Sequence, residues 1–581
     1  MKKIFLIFSA IALLVFTGPL FAEGAQEDSS EGAMMGTDEP QHGGTLTLFL
    51  RHDYDPPGPD VNDAFRDSFH WLDFLQQKPI VGDYGTYSPQ GNGEYDFGLL
   101  GAIPEKYQKG LLLDSWETTY EKLTWHVKPG VYWAPTEVQS AWMDAREFTA
   151  ADLVNDIKEF ASSPYKRRFD GLLKPEGVVE IDKYTLEIRF DQRFSADVFY
   201  FLGYEDRSVV APPELQAAPG RAGKWENQVG TGPWQFDEYV IGSHFSMKRN
   251  MDYWDSTVID GKEYQLPFAD KVVLPIITDE TTRLAAMKTG KADLDEHINN
   301  PNWSTMDKVQ GLKSASIIGG ANARVVLRAD EPPFNDVRVR NALFMATDLE
   351  QCQTIWEAQG LPIHFFPIYP SAPAYTELED LPPEIAELYD YNPEKAKKLL
   401  AEAGYPNGFE IDFAADTTVL QSMDLASLLE NQWSKVGVKV NIVPRDGVEH
   451  TRMKYSHPPL WSGALWDHLL EASETRMYTY YHKSGVDLNY AAWSNDRLDK
   501  LCELMEAELD YDKQQEYIKE AGEILMREGP YIPISIIPTK IYWWPWVKNY
   551  WGAYTIQDDC NFGELAAFLW VDQDLKEEMG Y

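Results

Sequence analysis

Val229-Gly230-Thr231-Gly232-Pro233-Trp234, followed by Lys248-Arg249-Asn250-Met251-Asp252-Tyr253-Trp254, are the strings on which the reading of this chain turns. The first is a tight turn in physical terms. Gly230 and Gly232 allow φ values that other residues avoid, Pro233 stiffens the exit, and Trp234 anchors the turn in a core. Outward from it, strand patterns alternate at period two in Thr45-Leu46-Thr47-Leu48-Phe49, in Leu123 to Val127 and in Tyr184 to Phe190. Helix signals lie between and after them. Asn392 is an N-cap with Pro393 at the first helical position, Ala396, Leu399, Leu400 and Ala403 form one face, and Gly404 stops the helix. Thr149 with Asp152 reads as a capping box ahead of Leu153, Val154, Ile157 and Phe160. Asn495 caps a helix whose apolar face is Leu498, Leu501, Cys502 and Met505. Beyond Pro530 the sequence turns β-type and Trp-rich, from Ile534 to Trp551.

Mixed strands and helices over 581 residues predict an α/β chain of more than one lobe, because single cores stop growing well below this length. Aromatic residues make up 13%, including 19 Trp and 31 Tyr, enough for packed cores and for surfaces that stack on ligands. A formal charge of −40 excludes nucleic acid and anionic membrane surfaces as partners. Three cysteines do not make a disulfide framework, and Cys502 reads as a small core residue.

The N-terminus reads as an export signal. Lys2 and Lys3 precede an apolar run from Ile4 to Phe16, Thr17-Gly18-Pro19 breaks it, and Ala22 offers a small residue for cleavage. Residues 23–42 read as a disordered acidic linker. No cysteine lies near the cleavage point, so the expected product is soluble, periplasmic or otherwise extracytoplasmic, and not a lipoprotein.

Catalytic and metal motifs are missing. There is no Gly-x-Ser-x-Gly, His-Glu-x-x-His or phosphate loop, and no Cys/His spacing for zinc. Asp53, Asp55 and Asp60 hint at a calcium loop, but prolines break the spacing and Ala64 stands where a bidentate Glu belongs. No metal, cofactor or catalytic residue is therefore assigned. A secreted glycoside hydrolase stays open as a distant alternative, since its paired carboxylates need no local motif.

The opening strings resemble the "GTGP…RN-x-x-YW" signature of solute-binding proteins of ABC importers, peptide/nickel/opine class (extracellular solute-binding family five). Other segments follow in the family's order: Gly43 to Leu46, Leu113 to Glu117, Lys128 to Trp133, Arg146 to Leu153, Thr281 to Asp293, and Asn335 to Leu343. In the last of these, Arg338 and Arg340 read as structural ion-pair residues. The resemblance implies a non-enzymatic, monomeric binder of two lobes that close on a solute and present it to membrane permease subunits. It places lobe I at 43–289 with an inserted subdomain near 75–180, lobe II at 290–525, and a segment 526–581 returning to lobe I. It further implies a peptide as solute, an oligosaccharide being the alternative. In peptide-binding members an Asp beside a Trp pairs with the peptide ammonium. The counterpart here is Trp466-Asp467, with His468 and Ala472 replacing the family's Tyr and Pro. Asp467 reads either as that anchor or as the N-cap of a helix beginning at His468. Trp461 and Trp466 are candidates for stacking on the solute, and Arg452 for meeting a carboxylate terminus.

Overall fold

The computed structural model describes residues 39–49 and 69–581, apart from 90, 96, 98–102, 104, 163–171, 192–193, 206–207, 218–219, 297, 318–320, 371, 457–459, 471–480, 483–488 and 557–561. The expected signal segment, most of the linker and the Asp53–Asp60 stretch fall outside the described residues. Glu39 to His42, expected within the disordered linker, are instead docked. Glu39 pairs with Lys262 at 2.8 Å, and His42 Nε2 bonds the Gln265 carbonyl at 2.7 Å.

Two sheets organise the molecule. The first has seven strands, in the order Lys313–Ile317, Thr539–Trp543, Leu294–Asp295, Thr45–Phe49, Lys271–Pro275, His244–Arg249 and Trp234–Val240. The second has five: Lys439–Arg445, Glu410–Asp416, Ala464–Leu470, Ala321–Leu327 and Tyr531–Ile536. The chain passes from the first sheet to the second between Ile317 and Ala321, and back between Ile536 and Thr539. These crossings move the expected boundaries. Strands up to Ile317 still belong to the first sheet, so its lobe does not end at 289. Tyr531–Ile536 hydrogen-bonds Ala321–Leu327, so the return begins at 537 and not at 526. Backbone pairing decides the point, and no residue type announces it. From Ile541 onward the C-terminal residues share one core with the N-terminal half.

A smaller antiparallel sheet, Leu113–Thr118, Lys122–Val127, Thr185–Phe190 and Leu173–Asp182, carries helix Ala150–Phe160 and belongs to that same core. Capping chemistry starts the helix: the Thr149 N–H donates to Asp152 Oδ2 at 2.9 Å, and Arg146 holds the same carboxylate at 3.0 and 2.7 Å. Helix Pro393–Glu402 begins where Asn392 accepts from the Lys395 N–H at 3.0 Å and ends ahead of Gly404, whose φ is +98°. Asn495 accepts from Arg497 and Leu498 to open helix Asp496–Ala507. Of the two arginines at the start of helix Val337–Met345, Arg338 pairs with Asp336 at 2.6 Å, whereas Arg340 is buried and donates to the Phe334 and Glu528 carbonyls.

The turn at Gly230 owes its glycines to proximity and not to φ. Neither Gly230 nor Gly232 is left-handed. A Cβ at Gly230 would lie 1.6 Å from the Leu75 carbonyl oxygen, and one at Gly232 would lie 2.7 Å from it. The backbones meet because Gly232 N–H donates to Leu75 O at 3.1 Å. The second string closes the same seam, Asn250 Nδ2 donating to the Gly232 carbonyl at 3.0 Å, while Trp234 of the first string donates Nε1 to the Gly563 carbonyl at 3.2 Å. The motif is thus a staple between the 73–77 loop and the C-terminal helix Gly563–Ala567.

Candidate functional site

Strand directions locate the cleft. Glu410–Asp416 and Ala464–Leu470 run parallel, and the end of the second sheet that holds Leu470, Ala321 and Ile536 is the end where both crossings leave for the first sheet. In the first sheet, Phe49, Asp295, Ile317 and Thr539 occupy the matching end. Solutes of open α/β sheets collect outside the carboxyl ends of parallel strands, and here those ends face the other lobe. The lobes also touch directly: Ser195 Oγ donates to Glu506 Oε2 at 2.9 Å, and Asn300 Nδ2 to the Trp356 carbonyl at 2.8 Å.

Asp467 sits three residues in from that end, directly opposite Arg324 on the neighbouring strand. The helix-cap reading is overturned, since Asp467 lies inside strand Ala464–Leu470. Its side chain is fully buried and engaged at both oxygens. Arg324 Nε donates to Oδ2 at 2.7 Å, the Tyr490 hydroxyl donates to the same oxygen, and the Lys454 ammonium donates to Oδ1. Arg324 completes its fork on the Tyr481 and Tyr490 hydroxyls at 3.2 and 2.7 Å, with its guanidinium 4.7 Å from the Tyr531 ring centre. Burial alone would raise the Asp467 pKa, but the Lys454 ammonium and Arg324 guanidinium hold it well below the usual carboxylate range. Lys454, which burial alone would discharge, stays protonated through Asp467.

The other candidates are not brought to this cluster. Trp466, one residue away, points through the opposite face of the sheet into the core with Val325, Phe413 and Trp433, as period-two geometry requires. Trp461 is buried on the Asp467 side, with the Arg328 guanidinium 5.9 Å from its ring. Arg452 is on the surface, forked onto Glu449 by two 2.7 Å bonds. One face of the short helix Gly447–Lys454 is solvated and the other buried, and Lys454 rather than Arg452 turns inward. Arg324, Lys454, Tyr481 and Tyr490 were missed from sequence. A charged residue inside Ala321-Asn322-Ala323-Arg324-Val325-Val326-Leu327 was the available signal, because such a strand buries what it carries.

Among the described residues no group of His, Cys, Asp and Glu is arranged to hold a metal, and no helix is long and apolar enough to cross a membrane.

Two α/β lobes joined by two crossings, with a buried charged cluster three residues in from the end where those crossings leave, are what fold and site define. Residues 107–488 match the family of bacterial extracellular solute-binding proteins, family 5 (Middle), and the chain belongs to that family. It is similar to heme-binding protein A of Haemophilus influenzae, at 27% identity over 73% of this chain and 78% of that protein. It is also similar to the dipeptide-binding protein of Escherichia coli, at 24% over 76% and 82%. Its fold matches the ABC transporter-associated periplasmic binding protein DppA of Helicobacter pylori in complex with the peptide STSA, with a TM-score of 0.68, 20% identity and coverage of 91% and 98%. HbpA2 of Haemophilus parasuis matches with a TM-score of 0.70, 20% identity and coverage of 91% and 100%.

Proposed function

We propose that this chain is the capture component of an ABC-type importer. In this reading it encloses a peptide-class solute between its lobes without turning it over, and delivers it as a monomer to membrane permease subunits. The observation that carries the reading is the family match over residues 107–488, combined with relatives named for dipeptides, di/tripeptides and glutathione. The geometry supports it: two crossings join the lobes, and a buried charged cluster sits at the cleft end of one of them. The work of binding is assigned to desolvation and hydrogen bonding at that end. We further propose that Met1–Ala22 is removed on export and that no lipid is attached.

A thermal-shift panel of di- to tetrapeptides, beside di- and trisaccharides, tests the reading. A ligand that binds only the native state at about 100 times its Kd adds about 2.7 kcal/mol and raises the melting temperature. Stabilisation by peptides with no released product is the expected result. A shift with saccharides alone, or hydrolysis of any panel member, overturns it.

A further inference from the structure

We propose that the cluster around Asp467 receives an anionic group of the solute, a carboxylate, through Lys454, and that this internal ammonium takes the place a solute ammonium would occupy. The inference deepens the solute-binding reading above and rests on it.

Three observations lead there. Charge is the first. Among the described residues, Arg324 and Lys454 contribute two positive charges against the single negative charge of Asp467, leaving a surplus of one cation in a buried setting. Asp416, at the same end of the sheet, turns Oδ1 back onto the Thr418 N–H and hydroxyl at 2.8 and 2.6 Å. His450, on the same helix as Lys454, is held neutral by burial. Buried charge left over in this way calls for a counter-charge from outside the chain.

Orientation is the second. The Asp467 side chain is 0% exposed and Arg324 1%, whereas Lys454 is 10% exposed. Lys454 is therefore the least buried of the three charged side chains. The Tyr455 and Tyr490 rings each lie 4.9 Å from the Lys454 nitrogen, and Tyr455 is itself 42% exposed.

Unused donor capacity is the third. Of its three N–H groups, Lys454 donates one to Asp467, and among the described residues it makes no other hydrogen bond. Asp467 already accepts from three donors, two of them cations. A solute carboxylate finds a charged donor with spare N–H groups here, whereas a solute ammonium would meet a carboxylate whose charge two cations of the chain already offset.

The test uses the mature full-length protein and calorimetric titration. The tightest di- or tripeptide of the panel is titrated in three forms: free, N-acetylated and C-amidated. We expect amidation to weaken binding at least tenfold and more than acetylation does, and the gap between acid and amide to shrink to within about threefold in Lys454→Gln, in line with the loss of one charge-assisted contact. A tenfold loss on acetylation with none on amidation overturns the proposal and restores Asp467 as an ammonium anchor. Should Lys454→Gln not fold, the three-form comparison on the unaltered protein decides alone. Succinate and glutarate, beside their monomethyl esters, separate the two readings. Binding of these acids but not of peptides discards the peptide solute and keeps the anion site. Peptide binding indifferent to amidation discards the anion site and keeps the peptide solute. Binding of neither set discards both.

Discussion

Two of the places where the molecule buries carboxylates treat them in opposite ways. At the far end of the first lobe, Glu564 accepts from Gln77 Nε2 at 2.8 Å and meets the Tyr253 hydroxyl at 3.3 Å, while Asp73 Oδ2 accepts from the Gly563 N–H at 2.8 Å. Hydrogen bonds dominate there, and among the described residues no cation donates to Glu564. Burial pushes Glu564 up to about 8 and Asp73 to about 7, the latter against the pull of Lys78. At the cleft end of the second lobe, Asp467 has two cations and is held ionised. The first arrangement is a neutral staple that ties the C-terminal helix to the 73–77 loop. The second keeps charge in the interior, which burial makes costly. Where desolvation is left unopposed the group has a holding role, and where charge is maintained against desolvation there is reason to look for a ligand.

The comparison breaks most visibly at Arg324. Arg324→Met leaves Asp467 with Lys454 as its one cation among the described residues and takes the guanidinium away from the Tyr481 and Tyr490 hydroxyls. Removing one member of a buried charge network costs about 3–5 kcal/mol. Denaturant unfolding followed by tryptophan fluorescence should show the second lobe destabilised by about that amount, with the first lobe unchanged. A loss below about 1 kcal/mol, the range of exposed ion pairs, would mean that water reaches the cluster and that it is not the buried charge described here.

The staple makes the pH prediction. Folded-state pKa values above those of the unfolded chain mean that Glu564 and Asp73 contribute stability that is complete below the unfolded carboxylate range and lost as pH rises through about 7 to 8. Asp467 is lowered, so its contribution is lost only as pH falls below the ordinary carboxylate range. Between pH 5 and 8 the first lobe should therefore lose stability, on the order of 3 kcal/mol from Glu564. Glu564→Gln, which cannot ionise, should remove the Glu564 share of that slope and leave the second lobe's profile untouched. Melting curves at several pH values check it, and an unchanged slope in the variant removes Glu564 as the cause.

Sequence reached the two regions to different depths. The staple was legible as a motif because Gly230, Gly232, Pro233 and Trp234 are adjacent, yet its reason was not. The clash that excludes a Cβ comes from Leu75, and no reading of a turn reports which backbone lies beneath it. Helix starts at Thr149, Asn392 and Asn495 were readable because capping is settled within four residues. Sheet order was not, since Thr45–Phe49 lies beside both Lys271–Pro275 and Leu294–Asp295 through pairings that propensity does not encode. At the cleft, Asp467 drew notice through its neighbour Trp466, but the alternation of strand faces separates the two. Its actual partners, Arg324 and Tyr490, lie 143 and 23 positions away. Long-range charge pairing leaves no local trace beyond an arginine in an apolar strand.

The smallest expected effect comes from the residue that sequence favoured over its neighbour. Arg452 and Lys454 share helix Gly447–Lys454, and either could have been the cation that serves a solute. Two positions along a helix is about 200° of rotation, so only one of them can turn inward. Lys454 does, and Arg452 remains exposed with Glu449 three residues before it. Such a pair is screened by salt and loosely held. Arg452→Ala should move the melting temperature by less than about 1 °C, given that 1 kcal/mol shifts a large domain by only a few degrees. Solute affinity should be unchanged, while Lys454→Gln measured beside it loses the acid-over-amide preference. A tenfold affinity loss in Arg452→Ala would place the solute on the solvated face of this helix, and the buried cluster would then be a structural pair like the staple in the other lobe.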